Sequence, residues 1–218
     1  MLDVLFEDEA LLFINKPAGV VVQQRVHHPE EPHLHAEVLR HTFPAYLMQR
    51  LDRRTSGVMF FSKRADLNAR LTRQFERKRI RKRYLAICEG SLVERQTIDA
   101  PLARVGAITF AVREGGRPAI THVHPLHATA CGSLLDIGLE TGRTHRIRVH
   151  LSAIGHSLAG DWLYGTRNAP RPMLHAAEIE LTHPSTNEPL RVVAPLPEDF
   201  LEEARRRGIV IGERAERA

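Results

Sequence analysis

The stretch AITHVHPLHATACGSLLDIGLE, residues 119–140, contains two strand-like runs, 119–129 and 133–140, separated by the short break Ala130-Cys131-Gly132. That break is too short for a crossover helix, so the second run returns beside the first as an antiparallel neighbour. Working outward, strand-like sequence lies at Arg81 to Glu89, near 96–100, at 173–181 and at 189–194. The last two flank His183-Pro184-Ser185-Thr186-Asn187, which reads as a hairpin connection. Nearer the start, Leu11 to Asn15 is a short buried strand ended by the turn signal Lys16-Pro17-Ala18-Gly19, and Gly57 to Ser62 (GVMFFS) is another. Helices are predicted at Leu34 to Thr42, at Ala65 to Lys78, at Thr144 to Gly155 and at 197–207. In the second, Leu67, Leu71 and Phe75 form one apolar stripe, and Ile147, Leu151 and Ile154 do so in the third. Strands outnumber helices and many are sequential neighbours. The pattern predicts an α+β fold, a mixed and largely antiparallel sheet with flanking helices. One domain over residues 1–218 is expected, with a charged, loose tail at 209–218.

Composition narrows the function classes. Apolar residues make up 43% and charged ones 26%, ordinary for a globular chain. No apolar run approaches the length of a membrane span, and Met1-Leu2-Asp3-Val4-Leu5-Phe6-Glu7-Asp8 lacks the basic lead of a signal peptide, so a cytoplasmic protein is expected. Cys88 and Cys131 both sit in strand-like apolar sequence, which predicts two reduced, buried thiols. A net charge of +5 and 13 histidines permit a polyanionic partner.

In Arg50-Leu51-Asp52-Arg53-Arg54-Thr55-Ser56-Gly57, one carboxylate lies among three arginines just before a buried strand. Nearby cations favour the ionised form that a nucleophile or general base requires. The plainer account is a turn aspartate with arginines on a solvated edge. In Thr141-Gly142-Arg143-Thr144-His145-Arg146-Ile147-Arg148, a strand ends in a turn and a helix begins with basic side chains around its N-terminus. That arrangement attracts phosphates or carboxylates, although an exposed basic helix face has the same appearance. The run Arg77-Lys78-Arg79-Ile80-Arg81-Lys82-Arg83-Tyr84 could track an RNA backbone while Tyr84 stacks on a base; a solvated helix-to-strand junction is the alternative. Histidines 27, 28, 33 and 35 lie in a surface loop without a matching cysteine or second histidine pair, so no metal site is expected. Phosphate loops, dinucleotide fingerprints and nucleophile elbows are absent.

Taken together, these segments resemble the RluA family of RNA pseudouridine synthases. The resemblance runs in order through nearly the whole chain: Asn15-Lys16-Pro17-Ala18-Gly19, Arg50-Leu51-Asp52 with Thr55-Ser56-Gly57, Lys82-Arg83-Tyr84-Leu85-Ala86, Thr141 to His145 with Ile147-Arg148-Val149-His150, Gly160-Asp161-Trp162-Leu163-Tyr164-Gly165, and Leu174-His175-Ala176. Two positions depart from the family pattern: Gln49 stands where a histidine is usual, and Arg146 where glutamine is. With the first strand almost at the start of the sequence, an S4 RNA-binding domain of the kind many relatives carry is not expected.

The resemblance implies the pseudouridine synthase fold and an isomerase that moves ribose from uracil N1 to C5, in ribosomal or transfer RNA, with no cofactor. It further implies Asp52 as nucleophile or base, Arg148 as its basic partner, and Tyr84 stacked on the target base with Leu174 on the other face. Arg50 is implied as the residue that fills the space left by a flipped uridine. Lys82, Arg143 and Arg146 are candidate phosphate contacts. A monomer suffices for this chemistry. A catalytically silent RNA-binding protein on the same fold is the main alternative; a glycoside hydrolase would need a second acid near Asp52, where the sequence offers arginines.

Overall fold

The computed structural model describes residues 2–24, 28, 30–106, 108–112, 115–139 and 144–212. In chain order the strands and helices begin with β1 (Val4–Glu7), β2 (Leu11–Lys16), α1 (Leu34–His41), β3 (Tyr46–Leu47) and β4 (Ser56–Ser62). A 3-10 turn, Ala65–Leu67, leads into α2 (Asn68–Glu76), followed by β5 (Arg81–Cys88), β6 (Gln96–Asp99), β7 (Leu102–Val105) and β8 (Ile108–Ala111). Then come β9 (Ile120–Thr129), β10 (Gly132–Leu139), α3 (Arg146–Ala153), β11 (Leu174–Thr182), β12 (Pro189–Val193) and α4 (Glu198–Arg206). The chain divides into two compact units, Met1–Lys82 with Ala176–Pro195, and Arg83–His175 with Leu196–Ala218.

In the first unit the strand order is β1-β2-β4-β11, with β3 on β4 and β12 on β11. Every residue of β4 is buried, as expected of a strand covered on both faces, and this is why GVMFFS is a continuous apolar run. Its alternation assigns the two faces. Phe60 stacks on its register partner Phe13 at 5.0 Å and on Phe75 of α2 at 6.1 Å, whereas Phe61 stacks on His35 of α1 at 5.6 Å. α1 is capped by His33, whose Nδ1 accepts from the Ala36 amide at 3.2 Å, so a histidine of the His-rich loop serves the backbone. His27 lies outside the described residues.

In the second unit β5, β10, β9 and β6 are successive antiparallel neighbours. The 119–140 stretch forms β9 and β10, paired from Thr129↔Gly132 to Thr121↔Leu139 with one irregularity at Leu134/Leu135. Beside this meander β7 and β8 form a separate hairpin. Leu102 and Ala119 pack with Val149 of α3, and Ala111 and Tyr164 close over them. α4 is fastened by Arg207, 6% exposed, which donates to Glu203, to both oxygens of Glu89 and to the Cys131 carbonyl.

The α+β, largely antiparallel fold is therefore the one expected, and the differences have local causes. β1, β3, β7 and β8 were not legible: β1 and β3 are short and part-exposed, and β7 and β8 each bury one residue of four. The third helix starts at Arg146 rather than at 144, because His145 sits in the left-handed region at φ 56. Cys88 is buried, but Cys131 is exposed, contrary to expectation, since it occupies the turn between the ends of β9 and β10. Ile209, assigned to a loose tail, is 5% exposed and its amide donates to Ala204; residues 213–218 lie outside the described set. Among the described residues no helix is long and apolar enough to cross a membrane.

Candidate active site

The loop that carries Asp52 is fixed from below by Lys16. This lysine is the last residue of β2 and is fully buried. Its ammonium donates to the carbonyls of Pro17 at 2.8 Å, Val20 at 3.1 Å and Arg53 at 3.1 Å. The Arg53 carbonyl also accepts from the Gly19 amide at 2.8 Å, and Arg53 Nε returns a bond to the Gly19 carbonyl at 2.9 Å. Thus the turn after β2 and the loop before β4 are laced together on either side of one buried charge. A buried ammonium is stable only where such acceptors meet it.

Asp52 itself is half-buried between buried Leu51 and the exposed Arg53 and Arg54. Its carbonyl accepts from the Thr55 amide at 3.1 Å, which closes the turn. Arg53 is occupied by Glu31 at 3.0 Å. Arg50 is exposed. Beyond the turn, Gly57 at φ +112 lies so close to β11 that a Cβ there would stand 2.1 Å from the Ala176 carbonyl oxygen. Only glycine fits, which explains Ser56-Gly57 at the start of β4.

In the second unit, α3 buries Arg148, and Asp161 (fully buried) meets it with a two-pronged ion pair: Nε to Oδ2 and Nη2 to Oδ1, both 2.7 Å. The same aspartate accepts from the amides of Leu163 and Tyr164 at 3.2 and 3.3 Å. The Tyr164 ring lies 5.0 Å from the Arg148 guanidinium, and its hydroxyl bonds to His145 Nδ1 at 2.8 Å and accepts from the Thr109 amide at 3.1 Å. The Gly160 to Gly165 segment is therefore a cradle for Arg148, fixing both the position and the direction of its guanidinium.

Tyr84, 9% exposed, sits on β5 opposite Ile137. Leu174, 4% exposed, opens β11, and its carbonyl accepts from Arg171 Nη1 at 3.2 Å. Arg171 is in turn gripped by Asp199 at 2.6 and 2.8 Å, and its hydrogen bonds hold the Asp199 carboxyl below the usual carboxylate range. Lys82 places its ammonium 4.6 Å from the Phe75 ring. Arg146, the candidate phosphate contact at the start of α3, is 2% exposed. Arg143 lies outside the described residues.

The expected residues thus fall into two sets, Arg50, Asp52 and Lys82 in the first unit and Tyr84, Arg146, Arg148 and Leu174 in the second. The supporting residues Lys16, Asp161 and Arg171 were not assigned roles from sequence. Lys16 and Asp161 lie inside recognised motifs, but Asp161 is thirteen positions from its arginine, a separation that no local spacing rule connects. Among the described residues no three His, Cys, Asp or Glu side chains are grouped to hold a metal.

Residues 10–153 match the family model described as RNA pseudouridylate synthase. The chain is similar to ribosomal large subunit pseudouridine synthase D of Nitrosomonas europaea, 38% identical over 91% of this chain and 63% of that one. It is also similar to the uncharacterised RNA pseudouridine synthase YhcT of Bacillus subtilis, 38% identical over 91% of this chain and 70% of that one. It therefore spans about two thirds of the length of these relatives. Among solved structures, human RNA pseudouridylate synthase domain containing 1 superposes with a TM-score of 0.73 at 28% identity, covering 90% of this chain and 84% of that one. Human RNA pseudouridylate synthase domain containing 4, at 24% identity, shares the fold with a TM-score of 0.76 over 97% and 95% of the two chains. The chain belongs to the RNA pseudouridylate synthase family, and its relatives of the synthase D type place it in the RluA branch.

Proposed function

We propose that this protein isomerises uridine to pseudouridine in RNA, with large-subunit ribosomal RNA as the substrate. The observation that carries the reading is an intact Asp52 motif, on a loop clamped by a buried lysine, in a chain of this family. The substrate rests on relatives whose names specify the ribosomal large subunit.

In the reaction the bond from uracil N1 to ribose C1′ breaks and a bond from C5 to C1′ forms. C5 loses its hydrogen and N1 gains a proton, so atoms balance without any oxidant or external group. Asp52 acts as nucleophile or base toward the ribosyl-uracil, and Arg148 is its basic partner, as the family pattern implies. Asp161 supports this role indirectly, by orienting Arg148 and compensating its charge. Tyr84 stacks on the base, with Leu174 against its other face. Arg50, exposed on the Asp52 loop, takes the place of the extruded uridine; extrusion from a stacked helix costs a few kcal/mol. Transfer RNA is the lesser reading of the substrate, and the protein works as a cytoplasmic monomer.

The test is incubation with transcripts of large-subunit ribosomal RNA and of transfer RNA, followed by nucleoside analysis of the digests. Pseudouridine in the ribosomal transcript is expected. Its appearance in transfer RNA alone would overturn the substrate assignment, and its absence from both would overturn the activity.

A further inference from the structure

The basic run from Arg77 to Tyr84 is divided by the fold. Arg81 lies 3.9 Å from Glu180, Lys82 rests on Phe75 and Arg83 pairs with Asp136 at 3.0 Å. Arg77 and Arg79 instead join Arg70 and Arg73 around a hollow of about 220 Å³ whose opposite wall is the turn from Thr182 to Asn187. Arg70, Arg73 and Arg77 follow one another at three- and four-residue spacing, which puts them on one side of α2. The wall is held in place: Gln74 donates to the Thr182 carbonyl at 2.7 Å and accepts from its amide at 3.0 Å, and Arg70 Nη1 donates to the Pro184 carbonyl at 2.8 Å. All four arginines are exposed. Among the described residues, no carboxylate forms an ion pair with any of them. By contrast Arg53, Arg64, Arg148, Arg171, Arg191, Arg205, Arg206 and Arg207 are each paired with a carboxylate.

Arg70 feels the nearby Asp66 carboxylate, but four guanidinium groups around one hollow still repel one another unless an anion joins them. The hollow is not the Asp52 site. Gly57 abuts Ala176 near the start of β11, whereas the hollow borders Thr182 at its end, about 20 Å further along the strand at ~3.3 Å per residue.

We propose that Arg70, Arg73, Arg77 and Arg79 form a second RNA-contact surface, which takes backbone phosphates of the substrate away from the target uridine. This rests on the RNA reading above. Guanidinium groups suit phosphate because they present fixed, paired donors, and backbone contact of this kind needs no base readout.

The test measures RNA binding against salt for wild type and for Arg73→Gln/Arg77→Gln. The control, Arg64→Gln/Arg205→Gln, removes the same charge from arginines already paired with Asp66 and Glu198. Each phosphate contact contributes roughly 0.7–0.9 to the slope of log affinity against log salt. The Arg73/Arg77 variant is expected to lose about 1.5 of that slope and about tenfold in affinity at physiological salt, with the control close to wild type. An unchanged slope, or an equal loss in the control, overturns the proposal; the former would leave an acidic protein surface as the occupant. Binding is read separately from turnover. A loss of RNA affinity in the Arg73/Arg77 variant, alongside a wild type that never forms pseudouridine, would support this surface and defeat the catalytic reading.

Discussion

At Lys16 a buried ammonium faces the carbonyls of Pro17, Val20 and Arg53, and an apolar chain of similar length leaves all three without that donor. Lys16→Met is therefore expected to lower stability by about 3 kcal/mol, read as a shifted denaturant midpoint at constant slope. It should also reduce turnover more than RNA affinity, because the displaced segment carries Asp52. An unchanged midpoint would mean that the loop is held by other means. The two cysteines give a second check. Burial pushes the Cys88 thiol up to about 12, so it stays protonated and enclosed at neutral pH, whereas Cys131 is exposed. One equivalent of a thiol reagent should label the native protein, at Cys131, with a second equivalent taken up only on unfolding.

α3 and the Gly160–Gly165 segment meet through Arg148 and Asp161, both buried. Asp161→Ala leaves a buried guanidinium without its carboxylate, at a cost of roughly 3–5 kcal/mol, and turnover should fall with it. Wild-type melting in that variant would show the pair to be dispensable. His150, also on α3, bonds to Thr121 and to the Ala100 carbonyl, and burial holds its imidazole below the usual histidine range. The unfolded chain therefore takes up this proton before the folded one does. Stability should fall as pH drops below about 6.5, the ordinary histidine value, and His150→Gln should flatten that part of the profile. The α3 motif was legible as a string, but not its inner wiring. Ion pairs joining residues thirteen apart follow from tertiary approach rather than periodicity.

For the whole molecule, the order of strands and helices was readable because the buried strands are continuous apolar runs and the helices carry one apolar stripe. Strands that bury little, β7 and β8 among them, gave no such signal. The proposed catalytic residues were legible through motif resemblance alone, since an aspartate among arginines also describes an ordinary surface turn. Supporting residues are defined only by the tertiary fold: Lys16 through its carbonyl acceptors, Arg171 through its bond to Leu174. The central claim is that the molecule is a uridine isomerase working through Asp52. Its most direct test is tritium release from RNA labelled at uridine C5, comparing wild type with Asp52→Asn, because C5 must lose its hydrogen when the ribose is rejoined there. Release by wild type and none by the variant, with RNA binding retained in both, is the predicted result; substantial release by Asp52→Asn would contradict it.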